Sequence, residues 1–294
     1  MYYDNTTILF ENGAFKKATA ATQDLYGQTF HYGYGVFEGI RAYDTPAGTQ
    51  IFKAAEHYER LHRSATLLGI PFPYKVQDLI ETSYELLKMN GLTDAYLRPI
   101  VYCSPNMGLA RPKEVSIAIL CWKWGAYLGE QRLRLSISPY CRPHPRSTHV
   151  EAKACGHYIN SILASVEAKD RGFDEALLLD SDGFLAEAPG SNLFFEKDKV
   201  LYTPQLGNIL PGITRESILF LCNKMGIEVK EGLFSLDALL SADSAFLCGT
   251  AAEVIGLQSV DAYNFPLMWE ESLGHQLQRA YKAWVTGNEV VANR

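Results

Sequence analysis

Cysteine is sparse and unpatterned in this chain of 294 residues: six are spread over positions 103, 121, 141, 155, 222 and 248. There is no CxxC pair and no Cys/His spacing of a zinc site. Most of these cysteines sit inside apolar segments, as buried thiols do in a reducing compartment, so neither a disulfide nor a structural metal is expected. Long hydrophobic runs are missing too. The longest strand-like apolar stretch, VSIAILCW at 115–122, is far too short to span a bilayer, so no membrane partner is expected. The opening residues, MYYDNTTILF, have no basic start followed by an apolar stretch, so no secretory signal is expected and the chain is placed in the cytoplasm. Positive charge is not in excess. With 27 Lys and Arg against 33 Asp and Glu, the net charge of -6 argues against a nucleic-acid partner and for small molecules. No GxGxxG follows a strand pattern, which removes a Rossmann nucleotide site, and no internal repeat is visible.

What remains is a soluble globular composition, 47% hydrophobic and 20% charged, in a chain long enough for two domains. Aromatic and β-branched residues predict strands at GVFEGIRAY (35–43), AYLRPIVYC (95–103) and VSIAILCW. Between them, 54–69 and 76–91 carry apolar residues at helical spacing and each ends on glycine. Two glycines interrupt the pattern around KWGAYLGEQ, so the spacing predicts a small α/β domain over 1–123, an interdomain loop at 124–131 and a larger, strand-rich domain over 132–294. In that second part a proline-containing loop leads to a helix beginning near His157. Strands are then predicted at EALLLD (175–180), FLAEA (184–188), NLFFEK (192–197), KVLYTP (199–204) and SAFLCG (244–249). A helix follows LPGIT, and another closes the chain at GHQLQRAYKAWVTG. The class is α+β.

One lysine stands apart. In EAKACGHYIN, Lys153 lies among small residues, with no further lysine or arginine until Lys169. A lone lysine is more often a solvated surface residue than a reagent, so only a matching constellation elsewhere gives it meaning. HYGYGVFEGIRAY, HYERLHRSA, WGAYLG, KACGHYINS, EAPGSNLFF, LPGITRESI and CGTAAEV supply one. In order and spacing the chain resembles the branched-chain amino acid aminotransferase family, class IV or fold-type-IV pyridoxal-phosphate enzymes, over nearly its whole length.

The resemblance implies pyridoxal 5'-phosphate as cofactor and a two-domain fold-type-IV architecture. Lys153 matches the family's Schiff-base lysine, whose amine holds the cofactor aldehyde and carries a proton once substrate displaces it. Glu187 matches the carboxylate that keeps the ring nitrogen protonated, and Tyr158 the tyrosine at the ring hydroxyl. Arg60 matches the phosphate arginine. A helix N-terminus offers unpaired N–H groups to an anion, so Ile213 and Thr214 after the Pro-Gly turn, with Thr250, are expected at the phosphate, and Leu210 against the ring. For substrate, the family's pocket positions are Tyr32, Phe37, Tyr127 and Tyr158. Its carboxylate turn matches Thr250, Ala251 and Ala252, aided by Tyr96, while Arg98, with Arg41 nearby, would receive a second carboxylate that an apolar pocket alone could not hold. Leu109, in the loop NMGLARP, would reach a neighbouring copy, so a homodimer or a dimer-based hexamer is implied.

The implied activity is transfer of the amino group of leucine, isoleucine or valine to 2-oxoglutarate, with amino acids and 2-oxo acids as the small-molecule partners. Tyr34 and Gly35 replace the Thr-Ser pair expected before VFEG, His157 stands where asparagine is more usual, and EVIGLQSV lacks the customary proline. These departures leave open another fold-type-IV activity, on D-amino acids or R-amines or as an aminodeoxychorismate lyase. A catalytically idle chain that kept the fold is the third reading.

Overall fold

The computed structural model describes residues 2–125, 128–129 and 131–288. They gather into two compact units, one from Met1–Gly125 with Ala152–His157, the other from Ala126–Glu151 with Tyr158–Arg294. Tyr127, expected at the substrate pocket, lies outside the described residues.

In the first unit, strands β1 (Ile8–Glu11), β2 (Ala14–Lys17), β3 (Gly35–Phe37), β4 (Ile40–Thr45), β5 (Gly48–Ile51), β6 (Ala95–Cys103) and β7 (Val115–Trp122) form one antiparallel sheet. The order is β2-β1-β7-β6-β4-β5, with β3 also paired to β6. A short α1 (Gln28–Tyr32) precedes β3, and α2 (Ala54–Leu67) and α3 (Val76–Met89) follow β5. Both long helices occupy the segments whose 3.6-residue apolar period predicts them. They bury Tyr58, Leu61, Ala65, Leu79, Leu86 and Leu87 in one core with Leu97, Val101, Ile117 and Ile119 of the sheet. Alternation along β6 sends Leu97, Val101 and Cys103 to this core and leaves Arg98, Ile100 and Tyr102 only half-buried.

The expected single strand over 35–43 is broken at Glu38 and Gly39. The cause lies across the ladder. A residue in an antiparallel pair gives its N–H and its C=O to the same neighbour. Pro99 of β6 accepts the amide of Glu38 at 2.8 Å but has no N–H to return. Pairing with β6 therefore stops at Phe37, opposite Ile100, and resumes at Ile40, opposite Leu97.

The second unit holds β8 (Leu133–Ile137), β9 (Glu175–Leu177), β10 (Glu187–Ala188), β11 (Ser191–Lys197), β12 (Val200–Pro204), β13 (Val229–Gly232), β14 (Ser244–Gly249), β15 (Glu253–Val260) and β16 (Tyr263–Asn264). Their sheet runs β13-β12-β11-β14-β15-β8-β9, with β10 on β11 and β16 on β15. The β12–β13, β15–β8 and β8–β9 pairs are parallel. Helices α4 (Tyr158–Asp170), α5 (Ile213–Met225), α6 (Leu236–Leu239) and α7 (Leu273–Val285) complete it. FLAEA, expected as a strand, contributes only its last two residues, Glu187 and Ala188, to β10, together with one isolated bridge, Leu179 to Leu185. The segment is a turn whose Asp180 accepts the amides of Asp182 and Phe184 through Oδ1, and those bonds compete with a ladder. No helix among the described residues is long and apolar enough to cross a membrane.

Trp269 wedges into this unit against two glycines. A Cβ on Gly274, near the start of α7, would lie 2.6 Å from the Trp269 ring and 2.8 Å from Phe246. Replacing a helix glycine with alanine gains about 1 kcal/mol of propensity, whereas overpacking a tight core costs about 1–3 kcal/mol. Both neighbours here are core rings rather than flexible ends, so the second effect wins. Gly274→Ala should destabilise the protein by up to about 2 kcal/mol net, read as a lowered midpoint in urea.

Candidate active site

Lys153 is carried by a short segment pinned through its main chain within the first unit. Its amide donates to Ser64 Oγ at 3.0 Å, and its carbonyl accepts from Phe37 at 3.1 Å. Ala154 bridges Val36, and the Gly156 amide donates to Gly33 at 2.9 Å. Gly33 closes α1 with φ +64°, and a Cβ there would sit 2.6 Å from the Gly156 Cα, so the two chains meet with no side chain between them. The Lys153 side chain is half-buried, with Nζ 5.0 Å from the Phe37 ring centroid.

Beside it, α2 turns a polar stripe inward. His57, Arg60 and Ser64 are spaced so that all three share the buried face with Leu61. Glu38, released by the break between β3 and β4, is 0% exposed and meets this stripe. Its Oε1 accepts Arg60 Nε at 2.6 Å, and its Oε2 accepts Arg60 Nη2 at 2.9 Å, the Gly39 amide at 3.1 Å and His57 Nδ1 at 2.7 Å. Burial opposes ionisation of Glu38, but the Arg60 guanidinium and His57 outweigh it and hold the carboxyl well below the usual range. For His57, burial is the largest influence and pushes its pKa down; Glu38 resists, and the charges of Arg60 and Lys153 add to the fall. His57 is therefore neutral, with its proton on the nitrogen that faces the carboxylate.

Phe37, Tyr96 and Arg98 converge in the same unit. Phe37 and Tyr96 are buried, the Arg98 guanidinium stacks 4.7 Å over the Phe37 ring, and Arg98 Nη2 donates to the Tyr96 hydroxyl at 3.1 Å. Arg41 donates instead to the Trp124 carbonyl at 2.7 Å and lies 3.7 Å from Asp94. Tyr32 is exposed and donates to the Met107 carbonyl at 3.0 Å, and Leu109 is 91% exposed.

In the second unit Glu187 is buried, and its oxygens are largely accounted for. Oε1 accepts the Leu210 amide at 3.0 Å and lies 3.0 Å from Arg142 Nε, an ion pair whose N–H is not aligned as a hydrogen bond. Oε2 accepts Asn192 Nδ2 at 3.0 Å, and the same amide group reaches the Leu210 carbonyl. Beyond Leu210, Gly212 caps α5, and a Cβ on it would fall 2.0 Å from Asn192 Oδ1. The first i→i−4 bond of α5 runs from Glu216 to Gly212, so the amides of Ile213, Thr214 and Arg215 have no carbonyl behind them within the helix. Ile213 and Thr214 are buried at this end. Thr250, Ala251 and Ala252 form the half-buried turn between β14 and β15, beside the close approach of Gly249 to Gly190. Tyr158 is half-buried at the first position of α4. Glu38, His57, Arg142 and Asn192 are the polar members that reading the sequence missed. The stripe on α2 could have disclosed His57, whereas nothing in spacing marks Arg142.

The family described as amino-transferase class IV matches residues 35–260. The branched-chain-amino-acid aminotransferase of Pseudomonas aeruginosa is 40% identical, covering 97% of this chain and 94% of its own. Among solved structures, the branched-chain aminotransferase of Thermoproteus uzoniensis with norvaline superposes with a TM-score of 0.93 at 34% identity over 96% of each chain. That of Thermobaculum terrenum in its PLP form does so at 0.91 and 30%, over 98% of this chain and 96% of its own. The chain belongs to the class IV aminotransferases, the pyridoxal-phosphate transaminases of fold type IV.

The His57 and Glu38 shifts carry a pH signature. Both pKa values are lower folded than unfolded, so each contributes stability that is present above its unfolded value and lost on acidification. For His57 that loss begins below about pH 6.5, and for Glu38 below about pH 4.5. Replacing His57 with Asn, which can keep the bond to Glu38 without a titrating ring, should flatten the fall of Tm between pH 7 and 5.

Proposed function

We propose that this aminotransferase moves the amino group of leucine, isoleucine or valine onto 2-oxoglutarate, yielding the branched 2-oxo acid and L-glutamate, in the cytoplasm. The observation that carries this reading is the wall made by Phe37, Tyr96 and Arg98, in which buried rings and a guanidinium stand side by side. Aromatic faces suit an aliphatic side chain, where each buried methylene contributes about 0.8 kcal/mol. The cation and the tyrosine hydroxyl suit the second carboxylate of glutamate, which is very costly to bury unpaired. The 40% identity with a relative named for branched-chain substrates points the same way.

The chain's groups fit the cofactor of the class: a pinned lysine, a guanidinium, a helix start and a buried carboxylate backed by a guanidinium. Pyridoxal 5'-phosphate, when bound, supplies a carbonyl carbon for the amino group and an electron sink for the α-carbon. Lys153 Nζ would hold that carbonyl group and would move the proton at the substrate α-carbon. Glu187 keeps a proton at the ring nitrogen, and Tyr158 orients the ring hydroxyl. Arg60, the amides of Ile213 and Thr214, and Thr250 would bind the phosphate, and Leu210 would pack against the ring. The turn of Thr250, Ala251 and Ala252 would receive the α-carboxylate, and Tyr32 would border the side-chain pocket. The working form is a homodimer or a hexamer built from such dimers, in which Leu109 of one copy lies near the pocket of the next.

A half-reaction panel followed by cofactor absorbance tests the substrate assignment. L-Leucine and L-glutamate should react, and D-alanine and an R-amine should lag far behind; the opposite ranking would overturn it. Lys153→Ala should lower turnover by more than about a hundred-fold, the lower end of what a positioned proton-transfer group contributes. Near-normal turnover without added amine would remove Lys153 from the chemistry.

A further inference from the structure

We propose that Glu38 is a positioning residue for Arg60, fixing its guanidinium so that the opposite edge is presented to the cofactor phosphate. The inference rests on the assignment of Arg60 to that phosphate. An arginine has five N–H donors in one plane. Glu38 takes the Nε proton and one Nη2 proton, at 2.6 and 2.9 Å. Holding one edge of a rigid fork sets the direction of the other, so the remaining protons on Nη1 and Nη2 have a fixed bearing. A flexible arginine would lose its rotamer freedom on each binding event; here that ordering is already complete.

Several observations favour this function over simple filling of the core. Glu38 is 0% exposed, and a buried ion pair is weak support for stability, since apolar residues of similar volume do as well or better. Its second oxygen is held by His57 Nδ1 at 2.7 Å and by the Gly39 amide at 3.1 Å, so the carboxylate cannot swing away from Arg60 without leaving both. The helix that carries Arg60 also carries Ser64, which receives the Lys153 amide. One face of α2 thereby fixes both the guanidinium and the main chain of the lysine.

The test compares pyridoxal 5'-phosphate with pyridoxal, which lacks the phosphate, in equilibrium binding to apo-protein. Glu38→Gln should weaken the phosphorylated ligand by roughly tenfold while leaving pyridoxal little changed, so the ratio of the two dissociation constants collapses. Arg60→Ala should collapse the same ratio, and adding Glu38→Gln to it should change the ratio no further. If Glu38→Gln weakens both ligands equally, or neither, while Arg60→Ala collapses the ratio, Glu38 does not position Arg60 and the proposal fails alone. An unchanged ratio in Arg60→Ala would overturn the phosphate assignment and the proposal together. Should Glu38→Gln not fold, Glu38→Asp decides: it keeps the charge but withdraws the carboxylate by one methylene, and an unaltered ratio there overturns the proposal.

Discussion

Pro99 offers its strand neighbour a carbonyl but no N–H, and the strand beside it pairs only on either side of Glu38 and Gly39. From that one missing proton much of the first unit follows. The interruption puts a carboxylate into an apolar interior, where it persists only with partners. Helix α2 provides them at successive turns, His57 and Arg60, and one further turn along places Ser64 where it catches the lysine-bearing segment. A backbone constraint in β6 is thus transmitted, through ordinary hydrogen bonding, to the two basic residues on which the proposed chemistry relies.

The second unit reaches a comparable arrangement by other means. Glu187 is held by a main-chain amide, a side-chain amide and a guanidinium, each from a different part of the chain. In both units a charged group has a buried counter-charge beside it. Such pairs add little to folding stability and define direction well. That is what a site acting on a planar, charged cofactor requires.

The long helices of the first unit were legible because their apolar period is strong, and the strands over 95–103 and 115–122 because aromatic and β-branched residues concentrate there. The break at Glu38 was not, since its cause sits in another strand. No strand was assigned to 253–260 from the sequence, yet it pairs with β14 and β8 in the middle of the second sheet. Lys153 acquired meaning only through seven ordered blocks shared with a family. Arg142 had no such marker: an arginine in an irregular loop looks solvated until the fold brings it against Glu187.

The main-chain contact between Gly33 and Gly156 sets a rule for anyone diversifying this scaffold. Neither position bears a side chain, so a screen aimed at pocket-lining residues would treat both as spectators. They nevertheless form a paired seam, and chimeras that take the segment around 33 from one parent and that around 156 from another preserve it only if both parents keep it bare.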